Sequence, residues 1–164
     1  MSQGAPRPPV AITQQSDVDQ LHSILLAALP SLGSVARDIV DRLANCHGEI
    51  GSADRFARRL GLRNRYRLSR LLAREGLPQI EELSAWIKTL ASLAQWENTR
   101  LALCRQALEA QREPGTYYRT VQRATGMHWR DVRALGLNYV IVKFVERCSA
   151  RSADQAEAVA QDTA

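Results

Sequence analysis

The residues of this chain best equipped for chemistry lie between Ser52 and Glu75, in the stretch SADRFARRLGLRNRYRLSRLLARE. Eight arginines (Arg55, Arg58, Arg59, Arg63, Arg65, Arg67, Arg70 and Arg74) stand against two acids, Asp54 and Glu75, within 24 residues. Arginine carries a rigid planar fork of donors that matches a phosphate or the edge of a guanine, so the cluster points to nucleic acid. A merely solvated charged face would intersperse acids at i,i+4, and here they are almost absent.

Two short helices must position this cluster. Phe56, Ala57 and Leu60 fall on one face, Gly61 interrupts, and Leu68, Leu71 and Leu72 fall on a second. Ala57 is small enough to admit a close neighbour, and Gly61 can take the positive φ that ends the first helix. The pattern is that of a helix-turn-helix with its apolar faces packed together and its arginines outside.

The rest of the composition fits a small helical protein. Apolar residues make up 45% of the 164 and aromatics 5%, so the core must be mainly Leu, Ile, Val and Ala. Net charge is +5, and Lys88 and Lys143 are the only lysines. Cys46, Cys104 and Cys148 form no C-x-x-C pair, so neither a disulfide framework nor a metal site is expected. The start, MSQGAPRPPV, lacks the charged and apolar regions of a signal peptide, and Ile24 to Leu29 is too short to span a bilayer. A cytoplasmic location is the expectation.

Read in order, residues 1–15 are Pro-rich and expected as a disordered tail. An amphipathic helix in 16–33 starts at a Ser16 cap and carries Val18, Leu21, Leu25 and Leu29 at helical spacing. Its stripe either closes the core or pairs residues 17–29 with the same helix of a second copy. The first helix-turn-helix unit spans 34–78, with a supporting helix carrying Val35, Ile39 and Leu43. A helical connector follows over 79–113, with Leu83, Trp86, Ile87, Leu90, Leu93 and Ala94 in period and Leu101, Cys104 and Leu108 continuing it. A break near Glu97 to Thr99 is compatible with the cap formers Asn98 and Thr99. The second unit, 114–148, repeats the logic more weakly, with Tyr117, Tyr118 and Val121, a turn at Gly126-Met127, then Trp129, Val132 and Leu135. Trp129 is read as core, and Tyr139 to Val145, β-branched but without a partner strand, as a final buried helix. Residues 149–164 are expected as a second disordered tail.

Phe56-Ala57-x-x-x-Gly61, Leu68-Ser69-Arg70-x-Leu72 and Gly76-Leu77-Pro78, with Val121, Gly126 and Val132 further on, resemble the DNA-binding domain of the AraC/XylS family of bacterial transcription regulators. The resemblance implies an all-α fold in which two helix-turn-helix subdomains are joined by a long connector helix. It also implies double-stranded DNA as the partner, with RNA polymerase or another regulator as a second one. Carried onto these positions, Asn64, Arg65, Arg67, Ser69 and Arg70 would contact bases, as would His128, Arg130 and Arg133 in the second unit. Ser52, Arg58, Arg59, Arg63 and Arg74 would contact the DNA backbone, joined by Arg119 and Arg123. A rigid connector would place the two units in successive major grooves roughly 34 Å apart.

Other functions find less support. His22, His47 and His128 lie in unrelated segments, and there is no phosphate-binding glycine loop, no H-E-x-x-H and no acid beside a nucleophile, so no enzyme and no cofactor is expected. The rival is a helical protein-interaction module whose basic face meets an acidic partner without reading DNA sequence.

Overall fold

Between Gln79 and Arg100 the large residues Leu83, Trp86, Ile87, Leu90 and Leu93 are interleaved with Ser84, Ala85, Thr89, Ser92 and Ala94. A helix that is apolar or small around most of its circumference is driven inside, where neighbours cover it on every side. The computed structural model, which describes the backbone of residues 11–162 and the side chains of residues 19–153, places it there. Among the described residues the fold is all-α: α1 (Ala11–Ala28), α2 (Ser34–Asn45), α3 (Ala53–Arg59), α4 (Arg65–Arg74), α5 (Ile80–Thr99), α6 (Leu103–Glu109), α7 (Pro114–Thr125), α8 (Trp129–Leu135) and α9 (Leu137–Asp162). Helix α5 touches α1, α2, α4, α6, α7, α8 and α9.

The segment expected to hold two subdomains apart is therefore the axis of one shared core. Leu43, Phe56, Leu68 and Leu72 reach that core from one side, and Tyr117, Val121, Trp129 and Val132 from the other. Phe144 of α9 closes it, its ring 5.6 Å from that of Trp86. The connector breaks at the expected place, α5 ending at Thr99. Arg100 adopts a left-handed conformation (φ 57°) with its guanidinium 5.5 Å from the Trp96 ring centre, and the chain turns back into α6. Helix α6 buries Leu103, Gln106 and Ala107, so Leu101 and Cys104 are only half-buried and Leu108 is exposed instead of continuing the period of α5.

Both ends of the chain are more helical than their composition suggests. Helix α1 starts at Ala11, so Ser16 lies inside it rather than at its first residue. Residues 11–15 contain no Gly or Pro and extend the helix backward from its packed part; the remainder of the expected tail, residues 1–10, lies outside the described residues. Leu21, Leu25 and Leu29 are buried against this chain's own core, so the stripe they form closes that core. At the other end α9 runs to Asp162, so most of the expected tail 149–164 is helix, as its Ala, Gln and Glu content permits. The β-branched run Tyr139 to Val145 is helical, with Val140, Ile141 and Phe144 buried and Val142 exposed. Three other apolar residues are misjudged by period alone: Val35, Tyr118 and Leu135 are exposed, each at the rim of a helix whose buried face is narrower than the sequence pattern.

Two measurements follow from α9. Arg147 and Arg151 both reach Glu82 of α5, at 2.7 and 3.3 Å, and Ser152 lies against Gly76. Ending the chain at residue 149 is expected to cost about 1 kcal/mol and to lower the melting temperature by about 2–4 °C; calorimetry showing no change would mean that α9 does no structural work beyond residue 149. Cys148 is buried, and burial first, with Glu82 second, pushes its thiol up to about 12. Only the thiolate attacks alkylating agents, so iodoacetamide at pH 8 is expected to modify Cys148 on the order of a thousandfold more slowly in the native than in the denatured protein. Peptide mapping of the labelled protein checks this.

Candidate nucleic-acid interface

The first unit is built by capping and burial. Ser52 accepts a hydrogen bond from the backbone N–H of Arg55 (3.3 Å) and starts α3. Leu62 N–H donates to Ala57 O (2.9 Å) and Gly61 N–H to Arg58 O (3.0 Å), with Gly61 at φ 74°, so the turn is closed in the Schellman manner. Asn64 then caps α4 by accepting from the N–H of Arg67 (3.1 Å), and Asp54 accepts from the N–H of Arg65 (3.0 Å) to tie the two helices together. Phe56 and Ala57 of α3 and Leu68 and Leu72 of α4 are buried.

Burying Leu68 and Leu72 fixes what α4 shows to solvent. Tyr66, Arg70 and Arg74 follow one another at i,i+4 along the opposite ridge, with Arg67 at its flank, and all are exposed. Arg58 and Arg63 are exposed on α3 and in the turn. Among the described residues Arg55, Arg58, Arg63, Arg65, Arg67 and Arg70 have no acidic side chain within ion-pair distance. Arg74 is paired with Glu75 at 3.6 Å. Ser52, Arg55, Arg58 and Arg59 line an open hollow at the start of α3.

Several expected contacts are already committed within the fold. Ser69 is half-buried and donates to Gln79 Oε1, which turns it toward the start of α5 and away from the ridge. Asn64 spends its Oδ1 on the cap, leaving Nδ2 as its polar atom for a ligand. Arg59 donates to Ile50 O (2.8 Å) and lies 5.7 Å over the Phe56 ring, fastening the loop before α3. Tyr66, 68% exposed with the Arg65 guanidinium 5.8 Å from its ring centre, is the surface residue that the arginine pattern passes over, and Arg55, counted in that pattern but assigned no contact, lines the hollow. The i,i+4 step from Tyr66 to Arg70 is the signal that finds the tyrosine.

In the second unit two short helices, α7 and α8, again meet at a glycine turn, but the electrostatics differ. Glu113 caps α7, accepting from the N–H groups of Gly115 (2.9 Å) and Thr116 (3.0 Å), and those bonds hold its carboxyl below the ordinary range. Gly126 ends α7 at φ 73°, and His128, exposed, precedes α8. Trp129 is buried, as expected of a core residue. Arg119 is neutralised by Glu113 (3.1 Å) and Arg130 by Asp131 (3.4 Å). Arg133 is half-buried with its guanidinium 4.6 Å from the Trp96 ring centre, so it packs where a base contact was expected. Arg123 is exposed without an acid beside it.

Compared with protein-family models, curated proteins and solved structures, the chain matches none of them. Among the described residues no three His, Cys, Asp or Glu side chains gather to hold a metal ion, and no helix is long and apolar enough to cross a membrane.

Proposed function

We propose that the chain is a sequence-specific double-stranded DNA-binding transcription regulator that sets α4 in a major groove. The observation that supports this reading is the surface of α3, the turn and α4, where six arginines have no acidic partner among the described residues and an exposed tyrosine stands with them. Such charge is left unneutralised at a cost in self-repulsion, and a phosphate backbone removes that cost by displacing counterions. Ten residues of α4 make a rod about 15 Å long, and the major groove, about 12 Å wide, admits a helix. Arg65, Arg67 and Arg70 are the base readers in this arrangement, and Arg55, Arg58 and Arg63 hold phosphates and set the register.

The second unit contributes less. Its paired arginines and seven-residue α8 suit backbone contact through Arg123 and His128 rather than a second reading helix. The resemblance of Phe56-Ala57-x-x-x-Gly61 and Leu68-Ser69-Arg70-x-Leu72 to a bacterial regulator points the same way for α4.

Selection from random duplex DNA at near-physiological salt tests the reading. Enrichment of one short element is the expected result; two half-elements one turn apart would give α8 a reading role. No enrichment, with weak salt-labile binding to every duplex, would replace this function by that of a protein-interaction module.

A further inference from the structure

Tyr118 and Gln122 share one face of α7 at i and i+4, with Arg119 beside them, and Arg130 and Arg133 share one face of α8 at i and i+3. With His128 these side chains line an open hollow of about 420 Å³. Leu103 at the start of α6 and Trp129, both buried, form its apolar floor with Ala102. No aspartate or glutamate lines it. Ligand pockets run from about 300 to 1,000 Å³, so the space suits a small molecule.

Arg133 is the group in this hollow that the fold leaves uncompensated. It is half-buried with its guanidinium 4.6 Å from the Trp96 ring centre, and among the described residues neither an acid nor a hydrogen-bond acceptor engages it. Glu97, next to Trp96 in the chain, is spent on the backbone N–H of Leu137 (2.7 Å). The indole face offsets only part of the lost hydration, and Arg100 already leans on the same ring at 5.5 Å. A half-buried cation without a counter-charge destabilises the fold, and an anion in the hollow removes that cost.

The charge around Arg133 sets the kind of anion. Arg119 and Arg130 also line the hollow, whereas their acids, Glu113 at 3.1 Å and Asp131 at 3.4 Å, do not. Both pairs are exposed, Arg130 at 84% of its side chain, so each is worth little and its guanidinium can turn to a ligand. Gln122, His128 and Tyr118 each carry at least one hydrogen-bond donor. A carboxylate, with one charge and two oxygens, occupies one guanidinium; a phosphate ester, with about two charges and three free oxygens, occupies several.

We propose that the hollow between α6, α7 and α8 binds the phosphate group of a small phosphate ester. Arg133 is its central partner, Arg119 and Arg130 flank it, and the apolar floor meets the organic part. The site is independent of the reading of DNA by α4. A phosphodiester of the DNA backbone is the other source of the same group, and the experiment separates the two.

Inorganic phosphate and AMP serve as probes at constant ionic strength, with adenosine as the control lacking the anion. AMP at ten times its Kd is expected to raise the melting temperature by about 3–6 °C, phosphate to bind more weakly, and adenosine to give no shift. Affinity for AMP should fall at least about tenfold in Arg133→Gln and about two- to fivefold in Arg130→Gln. It should stay unchanged in Arg105→Gln, which removes an equal charge from an exposed position of α6 outside the hollow. Because Arg133→Gln also alters the packing on Trp96, the exposed Arg130→Gln keeps the test decisive if that variant does not fold. No response to either probe at millimolar concentration overturns the site, as does an equal loss in Arg105→Gln. An equal response to adenosine overturns the phosphate assignment. Weaker binding of every duplex by Arg133→Gln, with no response to AMP, would make the hollow a seat for the DNA backbone and overturn the free ester.

Discussion

Replacing Arg70 by alanine is expected to lower affinity for the selected duplex by about 5- to 150-fold, the equivalent of about 1–3 kcal/mol for one bidentate guanine contact. Binding to unrelated duplex should change much less. The asymmetry follows from position: Arg70 sits mid-helix on the ridge opposite Leu68 and Leu72, free of acids, where a side chain entering a groove meets base edges first. Arg58, on α3, is the matched contrast, since a phosphate contact loses affinity uniformly across sequences and reduces the salt slope by about one. Two further substitutions separate this interface from one inferred from charge alone. Ser69→Ala should leave sequence preference intact, because its hydroxyl is engaged with Gln79. Arg130→Ala should have little effect, because Asp131 already neutralises that guanidinium. Equal loss on every duplex for Arg70→Ala would make Arg70 a backbone contact and remove the basis for reading by α4.

How much of this interface is legible in the sequence depends on whether the determining partner is local. Gly61 marks the end of α3 because a left-handed turn acts over three to five residues, and that boundary stands in the structure, where Ser52 and Asn64 also prove to be the caps that start α3 and α4. The engagement of Ser69 is not legible because Gln79, the group that accepts its hydroxyl, lies ten residues on and across a turn. The arginines of the second unit look as free as those of the first until Glu113, Asp131 and Trp96 are placed beside them, and Trp96 comes from a different helix. The same limit applies to the fold. A 3.6-residue period shows that Leu83 to Ala94 is helical, but not that neighbours surround it; that shows only in Ser84, Thr89 and Ser92, small polar residues buried where a connector would carry charge. The end of α5 is legible in Asn98 and Thr99, where the expected break falls, although the left-handed turn itself is taken by Arg100, neither Gly nor Pro, leaning on Trp96. The tails are ambiguous for another reason, since Ala, Gln and Glu favour a helix once one is started and favour disorder when it is not.

The largest expected loss of stability comes from Gly48→Ala, at the corner that fastens the first unit to α5. Gly48 has φ 75° and ends α2 by donating to Leu43 O at 2.8 Å. A Cβ there would lie 2.5 Å from Ser84 O and 2.9 Å from Lys88 N, both backbone atoms of α5. Neither atom can swing aside, so α5 and the corner must separate, which weakens the bond that Ser84 Oγ donates to Gly48 O (2.6 Å) and loosens Glu49 from Lys88. Gly61→Ala isolates the conformational part of this cost, since Gly61 has nearly the same φ of 74° but nothing within 4 Å of the added atom. Its expected cost is about 1 kcal/mol, or about 2–4 °C. Gly48→Ala adds the steric part and should cost about 3–5 kcal/mol, lowering the melting temperature by about 10 °C or more. If the two variants melted together, the corner would not be packed on α5. The first unit would then be held on the core by Leu43, Phe56, Leu68 and Leu72 and by the Ser69–Gln79 bond, and the direction in which α4 points, and so its fit to a groove, would lose the corner as a fixed reference.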